Sequence, residues 1–322
     1  MSTITTIALG NGGRLSKLGL GCMRMSSVWG GPVNDESESI ATIRMALDSG
    51  INFVNTGDFY GSGHNELLVG KAIKGRRGDA FISVKFGAIF HNGQWLGLDL
   101  RPIAIKNFIN YSLVRLGIET IDLYQPCRLD NSVPMEDVIG TIADLIKEGK
   151  VRYLGVSEIT AEQLRKAHSI HPVTALEIGY SLADRQIEKD LLPTAKELGV
   201  GVVAFANTAE GLLTGEMKAP LPANDYHNHF SRFQGENLIK NLEKVEVLKR
   251  MAKEKGYTPT QLAIAWVNTQ GDYIMPLVSM SRRSRLPENI QAMEIVFTPE
   301  EKNTLNTHFS PGAIAGGTYL QR

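Results

Sequence analysis

The chain has 322 residues, with 34 basic and 34 acidic groups, a formal net charge of +0 and 43% hydrophobic residues. That is enough apolar material for one large core, and the balanced charge supplies no overall field to draw the protein to nucleic acid or an anionic membrane. No stretch approaches the ~20 apolar residues that cross a bilayer. Met1 to Gly13 lacks the basic and apolar run of a secretory leader, and two cysteines, Cys22 and Cys127, make no disulfide framework. The expectation is a cytoplasmic, single-domain protein over residues 1–322, a monomer or small homo-oligomer acting on a small-molecule substrate.

Thr3 to Leu9 and the residues around Arg14 flank the turn cluster Gly10-Asn11-Gly12-Gly13 and predict a hairpin. Lys17 to Met23 reads as the first strand of a longer series, opening through Met23, Arg24 and Met25 into a loop. From Asn34 or Asp35, which suit a helix cap, helical and strand patterns alternate. A helix ending near Gly50 is followed by a strand to Val54, a helix over Asn65 to Lys74, a strand over Ala80 to Lys85 and a helix over Pro102 to Leu116. Next come strand Thr120 to Tyr124, helix Met135 to Lys147, strand Arg152 to Val156 and helix Ala161 to His168. Strand Thr174 to Ile178 and helix Ile187 to Leu198 precede strand Gly201 to Phe205 and a long helix over Gly235 to Lys255. The series closes with a strand over Ile274 to Val278 and a helix over Arg285 to Met293. Eight strand–helix units in unbroken alternation predict an α/β protein of the (β/α)8 TIM-barrel type, with an N-terminal β-hairpin. No G-x-G-x-x-G follows the first strand, which argues against an open dinucleotide-binding sheet. Residues 88–99, 207–234 and 308–322 form connections too long for simple turns.

The polar residues collect where the strand ending at Val54 gives way to Asn55-Thr56-Gly57-Asp58-Phe59-Tyr60-Gly61, and again at Lys85. A buried ammonium beside a phenol is the simplest means of making tyrosine a usable acid or base near neutrality. The bland alternative is an unrelated surface Tyr and surface Lys. His227 and His229 form a tight pair without the companion ligands of a zinc site, so no metal is expected.

The spacing of Asn55, Tyr60 and Lys85 resembles the signature of the aldo-keto reductase family. So do Gly19-Leu20-Gly21-Cys22-Met23, Ile121-Asp122-Leu123-Tyr124, the run from Glu148 to Ser157, Gly211-Leu212-Leu213-Thr214-Gly215 and Arg285-Leu286-Pro287-Glu288-Asn289. The resemblance implies a barrel whose hairpin closes its base, with Tyr60 as catalytic acid or base and Lys85 tuning it. Two positions depart from the pattern: Asn55 replaces an Asp, which leaves Lys85 without its usual counter-charge, and Cys127 replaces a His that orients or polarises the substrate carbonyl. A thiol is a poor substitute for imidazole, and Cys127 is read as a small buried apolar residue in preference to a reactive thiolate. The two departures predict a poor general aldehyde reductase.

The resemblance also implies NADP as cofactor. Ser157, with Glu158 and Glu177 where Asn and Gln are usual, would face the nicotinamide carboxamide, and Phe205 would stack on its ring. Asn207, Ala209 and Leu212 fall in a loop that covers the pyrophosphate, while Arg282, Arg285, Glu288 and Asn289 lie at the adenosine end, where basic groups suit a 2′-phosphate. Glu177 beside the nicotinamide would favour the oxidised cofactor, and it is also a candidate distant counter-ion for Lys85, which would dilute that effect. The leading reading is an NADP-dependent oxidoreductase interconverting a carbonyl and an alcohol. Two others stand beside it: a lyase, isomerase or epimerase that keeps the nucleotide as an unconsumed redox group, and a nucleotide-binding protein without turnover.

Overall fold

The computed structural model describes residues 4–26, 35–130 and 132–318. β1 (Thr6–Ala8) and β2 (Arg14–Ser16) form the antiparallel hairpin, with Ile7 opposite Leu15. The barrel strands are β3 (Gly19–Gly21), β4 (Phe53–Gly57), β5 (Phe81–Phe86), β8 (Ile121–Pro126), β9 (Val151–Ser157), β10 (Val173–Gly179), β11 (Gly201–Phe205) and β12 (Ile274–Ser279). All pair in parallel, and β12 pairs back to β3, so the sheet closes in chain order. Between β5 and β8 a two-stranded excursion, β6 (Ala88–His91) and β7 (Gln94–Leu98), stands apart from the barrel.

Side chains alternate across a strand, so each barrel strand sends every second residue inward. The lower layer of the lumen is apolar: Phe53, Phe81, Leu123, Ala175, Val203 and Met275 pack together with Ile7, Leu9 and Leu15 of the hairpin. Each such burial contributes roughly 2 kcal/mol. Gly201 is required here because a Cβ would lie 2.4 Å from Leu9 Cδ1, so the hairpin plugs the base only if that wall has no side chain. The outer core lies between the barrel and its helices. These include α1 (Glu36–Asp48), α2 (His64–Ile73), α3 (Pro102–Leu116), α4 (Met135–Lys147), α5 (Ala161–Ile170) and α6 (Leu191–Glu197). Asp35 caps α1 by accepting from the Ser37 and Glu38 amides.

Several expectations need correction. β4 begins and ends later than the hydrophobic run suggested and carries Asn55, Thr56 and Gly57 within it, because the inward polar residue is satisfied inside the lumen and need not reach a loop. The first barrel strand is only Gly19–Gly21, and the sixth helix is split into a 3-10 turn (Gln186–Glu188) and α6. The long helix α7 (Gly235–Lys255) is an addition to the series; the helix that leads into β12 and packs on it is α8 (Pro259–Asn268). α9 (Leu286–Ala292) follows β12, and α10 (Pro299–His308) was not anticipated. Both overlooked helices open with a capping box, Thr258 with Gln261 and Thr298 with Glu301, and with Pro at the first helical position. Asn34 as a possible cap lies outside the described residues. No helix among the described residues is long and apolar enough to cross a membrane.

Candidate active site

Above the apolar layer the lumen turns polar. Asn55 on β4 lies opposite Ser83 on β5, and Ser83 stands two residues below Lys85 on the same face. Gln125 on β8 pairs in register with Lys85, and Glu177 on β10 pairs with Ser157 on β9. All of these side chains are buried. Lys85 Nζ lies 2.6 Å from Glu177 Oε1 and donates to Asn55 Oδ1 at 2.8 Å. Asn55 Nδ2 donates to Glu177 Oε2 at 2.7 Å and to Ser83 Oγ at 3.2 Å. Gln125 Nε2 donates to Glu177 Oε2 at 2.5 Å and to Ser83 Oγ at 3.2 Å. A Cβ at position 155 would come within 2.8 Å of Gln125 Oε1, so Gly155 on β9 makes the room this amide occupies.

This network supplies the counter-charge that Asn55 does not: Glu177 reaches Lys85 from across the barrel, while Asn55 contributes a neutral acceptor. At an effective dielectric near 20, a pair this close gains about 6 kcal/mol before desolvation, which is comparable with the several kcal/mol each ion loses on burial. Burial pulls the Lys85 pKa down, but the Glu177 carboxylate and Tyr60 outweigh it, and the net shift is upward. Lys85 therefore stays an ammonium. The same geometry dilutes any pull of Glu177 on an oxidised nicotinamide, because both its oxygens are engaged by Lys85, Asn55 and Gln125.

Tyr60 opens a short 3-10 turn, Tyr60–Gly63, beyond β4, with Gly61, Ser62 and Gly63 all in left-handed backbone conformations. That tight turn folds the phenol back over the lumen, where it is buried. Lys85 Nζ lies 5.2 Å from its ring centroid, and Phe59 packs edge-on at 4.8 Å. Burial pushes the phenol up to about 12, with the Lys85 charge pulling the other way and Glu177 adding to the rise. Tyr60 is thus a neutral proton donor at physiological pH. The turn is held from behind by Asn65, which accepts from Thr56 Oγ1 at 2.7 Å and donates to the Cys22 carbonyl at 2.8 Å.

Cys127 follows β8 at the same mouth, and its amide donates to the Phe86 carbonyl at 2.8 Å. The residue is half-buried, not fully buried as expected, and desolvation raises its thiol to about 12 despite the nearby Lys85. Glu158 sits at φ +52, a strained conformation for a long side chain, and its Oε1 accepts from the Gly179 amide at 2.9 Å. Burial raises its carboxyl above the ordinary range, with the Gly179 hydrogen bond and Arg128 pulling it down.

The remaining expected residues fall on one side of the mouth and its rim. Ser157 is buried at the end of β9, and Phe205 ends β11 half-buried above Val203. Asn207 is buried, donates to the Ala204 carbonyl at 2.9 Å, and leaves its Oδ1 without a partner among the described residues. The loop after it places Ala206, Ala209, Glu210 and Gly211 at positive φ, with Ala209 and Leu212 buried. At α9, Arg282 and Arg285 are exposed, Arg285 lies 3.2 Å from Glu288, and Asn289 is buried one turn on. The paired histidines serve the loop itself: His227 contacts Asp225 at 2.6 Å and the Glu210 carbonyl at 2.9 Å. Ser83 and Gln125 were not singled out in advance. The signal was their place two residues before Lys85 and Cys127, which sets them one layer down on the same face.

The sequence pattern described as "Aldo/keto reductase family" matches residues 17–309. A curated relative, probable aldo-keto reductase 1 of Glycine max, is 37% identical over 319 residues, covering 98% of this chain and 92% of its own. A glycerol dehydrogenase structure from Gluconobacter oxydans is 30% identical with a TM-score of 0.86, over 98% of each chain. The holo form of an aldo-keto reductase from Bacillus halodurans is 28% identical with a TM-score of 0.77, over 95% of this chain and 96% of that one.

Proposed function

The chain belongs to the aldo/keto reductase family, and on that premise we propose that it is an NADP-dependent oxidoreductase interconverting a carbonyl and an alcohol on a small organic substrate in the cytoplasm, as a monomer or small homo-oligomer. The observation that carries this reading is the neutral, buried Tyr60 phenol beside a buried ammonium at the barrel mouth, with Lys85 Nζ 5.2 Å from the ring centroid. Bound nicotinamide would supply or accept the hydride. The residues at the rim fit such a group: Phe205 offers a ring face, the buried Asn207 has an unsatisfied oxygen suited to an amide or hydroxyl donor, and Arg282 and Arg285 are exposed cations beside the N-terminus of α9.

In the reductive direction, Tyr60 gives its proton to the substrate oxygen as that oxygen gains negative charge. The Lys85 ammonium beside the ring stabilises by its charge the tyrosinate that remains. In the oxidative direction the tyrosinate takes the hydroxyl proton. Phe59, against Tyr60, and the half-buried Phe90, 5.8 Å from Phe59, form an apolar wall that limits water beside the transferring proton. The dehydrogenase name of the Gluconobacter oxydans relative supports the alcohol end of the couple. The test is Tyr60→Phe, assayed with NADPH and a panel of aldehydes, ketones and quinones, and with NADP⁺ and polyols. Turnover is expected to fall at least about 10²-fold with unchanged nucleotide affinity. Retained turnover would assign the proton transfer elsewhere.

A further inference from the structure

We propose that Glu177 is a positioning residue for the Tyr60–Lys85 pair, and that Asn55 is an amide because Glu177 is a carboxylate, so that the lysine's counter-charge sits on β10 instead of β4. Its functional weight rests on the acid–base role proposed for Tyr60.

The geometry leaves Asn55 little choice. Its Oδ1 faces the Lys85 ammonium at 2.8 Å and its Nδ2 faces Glu177 Oε2 at 2.7 Å, so one end must accept and the other must donate. An amide satisfies both and fixes its own orientation in doing so. A carboxylate at 55 would set two anionic oxygens against each other at that 2.7 Å contact, with a single ammonium between them. Conversely, without the Glu177 charge the buried Lys85 would lose the anion that opposes its desolvation. The two positions are 122 residues apart in the chain, and either residue alone would be a poor choice. Together they hold one negative charge beside one positive charge, with Gln125 and Ser83 completing the hydrogen bonds. The other titratable groups around the pair are Cys22 from β3, Cys127 beyond β8 and Glu158 beyond β9; burial raises all three, which leaves the two thiols protonated at neutral pH and Lys85 and Glu177 as the charges in direct contact.

The test is a transposition cycle on the full chain: Glu177→Gln, Asn55→Asp, and the two together. Glu177→Gln is expected to lower turnover about tenfold or more and to shift Tyr60 ionisation to higher pH, because the desolvated Lys85 gives up its proton without its anion and no longer stabilises a tyrosinate. Asn55→Asp alone is expected to lower turnover and to shift Tyr60 ionisation to higher pH. The double variant should return both readouts to within about threefold and a few tenths of a pH unit of the wild type, which is non-additivity of the kind seen for groups in direct contact. Tyr60 ionisation is read by ultraviolet difference titration against Tyr60→Phe, so it does not depend on turnover. If the wild type turns over nothing while the ionisation cycle behaves as described, the oxidoreductase reading fails and the charge transposition stands. If the double variant is no better than Glu177→Gln, or if Asn55→Asp leaves both readouts unchanged, the transposition is overturned. Should Glu177→Gln not fold, a folded, active double variant still supports it, and an unfolded double variant overturns it.

Discussion

Arg232 and Asp184 form a fully buried bidentate ion pair, with Nη2 2.6 Å from Oδ1 and Nη1 2.9 Å from Oδ2. Asp184 follows β10 and Arg232 ends the long 207–234 connection, whose first turn carries the strained residues Ala206, Ala209 and Glu210. The Arg232 amide donates to the Gly317 carbonyl and its own carbonyl accepts from Asn241, so one residue, through side chain and backbone together, ties the connection, α7 and the C-terminal segment to the barrel mouth. Removing one partner of a buried pair costs about 3–5 kcal/mol because the other charge stays out of water. Asp184→Asn is therefore expected to lower the urea-derived stability by that amount. A loss below about 1 kcal/mol would mean that the guanidinium finds equal compensation elsewhere.

Asp58 is expected to make stability fall with pH. It is half-buried two residues before Tyr60, its Oδ1 is out of solvent without a partner among the described residues, and desolvation together with the neighbouring Glu66 holds its carboxyl well above the usual range, against the amides of Gly87 and Phe59 and the Arg115 charge. The folded state thus binds this proton more tightly than the unfolded chain, whose Asp titrates near 3.9. The favourable contribution is complete below that value and is lost as pH rises from there through the raised folded value. Asp58→Asn should leave stability at pH 4 nearly unchanged and increase it at pH 8 by about 1 kcal/mol or more. Denaturation at the two pH values checks the difference, and equal effects would show that Asp58 is ionised in the fold.

The two thiols are expected to be inert. Burial raises both Cys22 and Cys127 to about 12, although Lys85 lies close to each. Alkylation by iodoacetamide at pH 7 should be far slower than for a free thiol and should accelerate only at strongly alkaline pH, as the thiolate is the reacting species. Cys127→Ala should keep turnover within about threefold, since a thiol is a weak donor. Rapid labelling of Cys127 at neutral pH would replace this picture with a reactive site.

NADPH is expected to bind in preference to NADH. In the free protein Arg285 is paired with Glu288, but the pair is exposed and worth at most about 1 kcal/mol, so a phosphate can claim the guanidinium at small cost. Arg285→Ala should weaken NADPH about tenfold and NADH hardly at all, as measured by quenching of nucleotide fluorescence. Similar loss for both nucleotides would place Arg285 away from the 2′-phosphate.

Much of the fold follows from short-range order in the chain. Helices α3, α4 and α7 and strand β11 have the bounds their own patterns predict, because apolar spacing and the residues that stop an element act within a few positions. The capping boxes at Thr258 and Thr298 were equally local and could have been read. Tyr60 and Lys85 stand out in the sequence for the same reason, being fixed by the ends of β4 and β5. Glu177 could be named from the family resemblance as a distant counter-ion for Lys85, but not its interlocking with Asn55, because the two lie on far walls of a closed barrel and no local pattern links β4 to β10. Only closure of the sheet brings Glu177 to Lys85, and burial there makes a single carboxylate decide the charge of the site, since in the lumen there is little water to stand in for it.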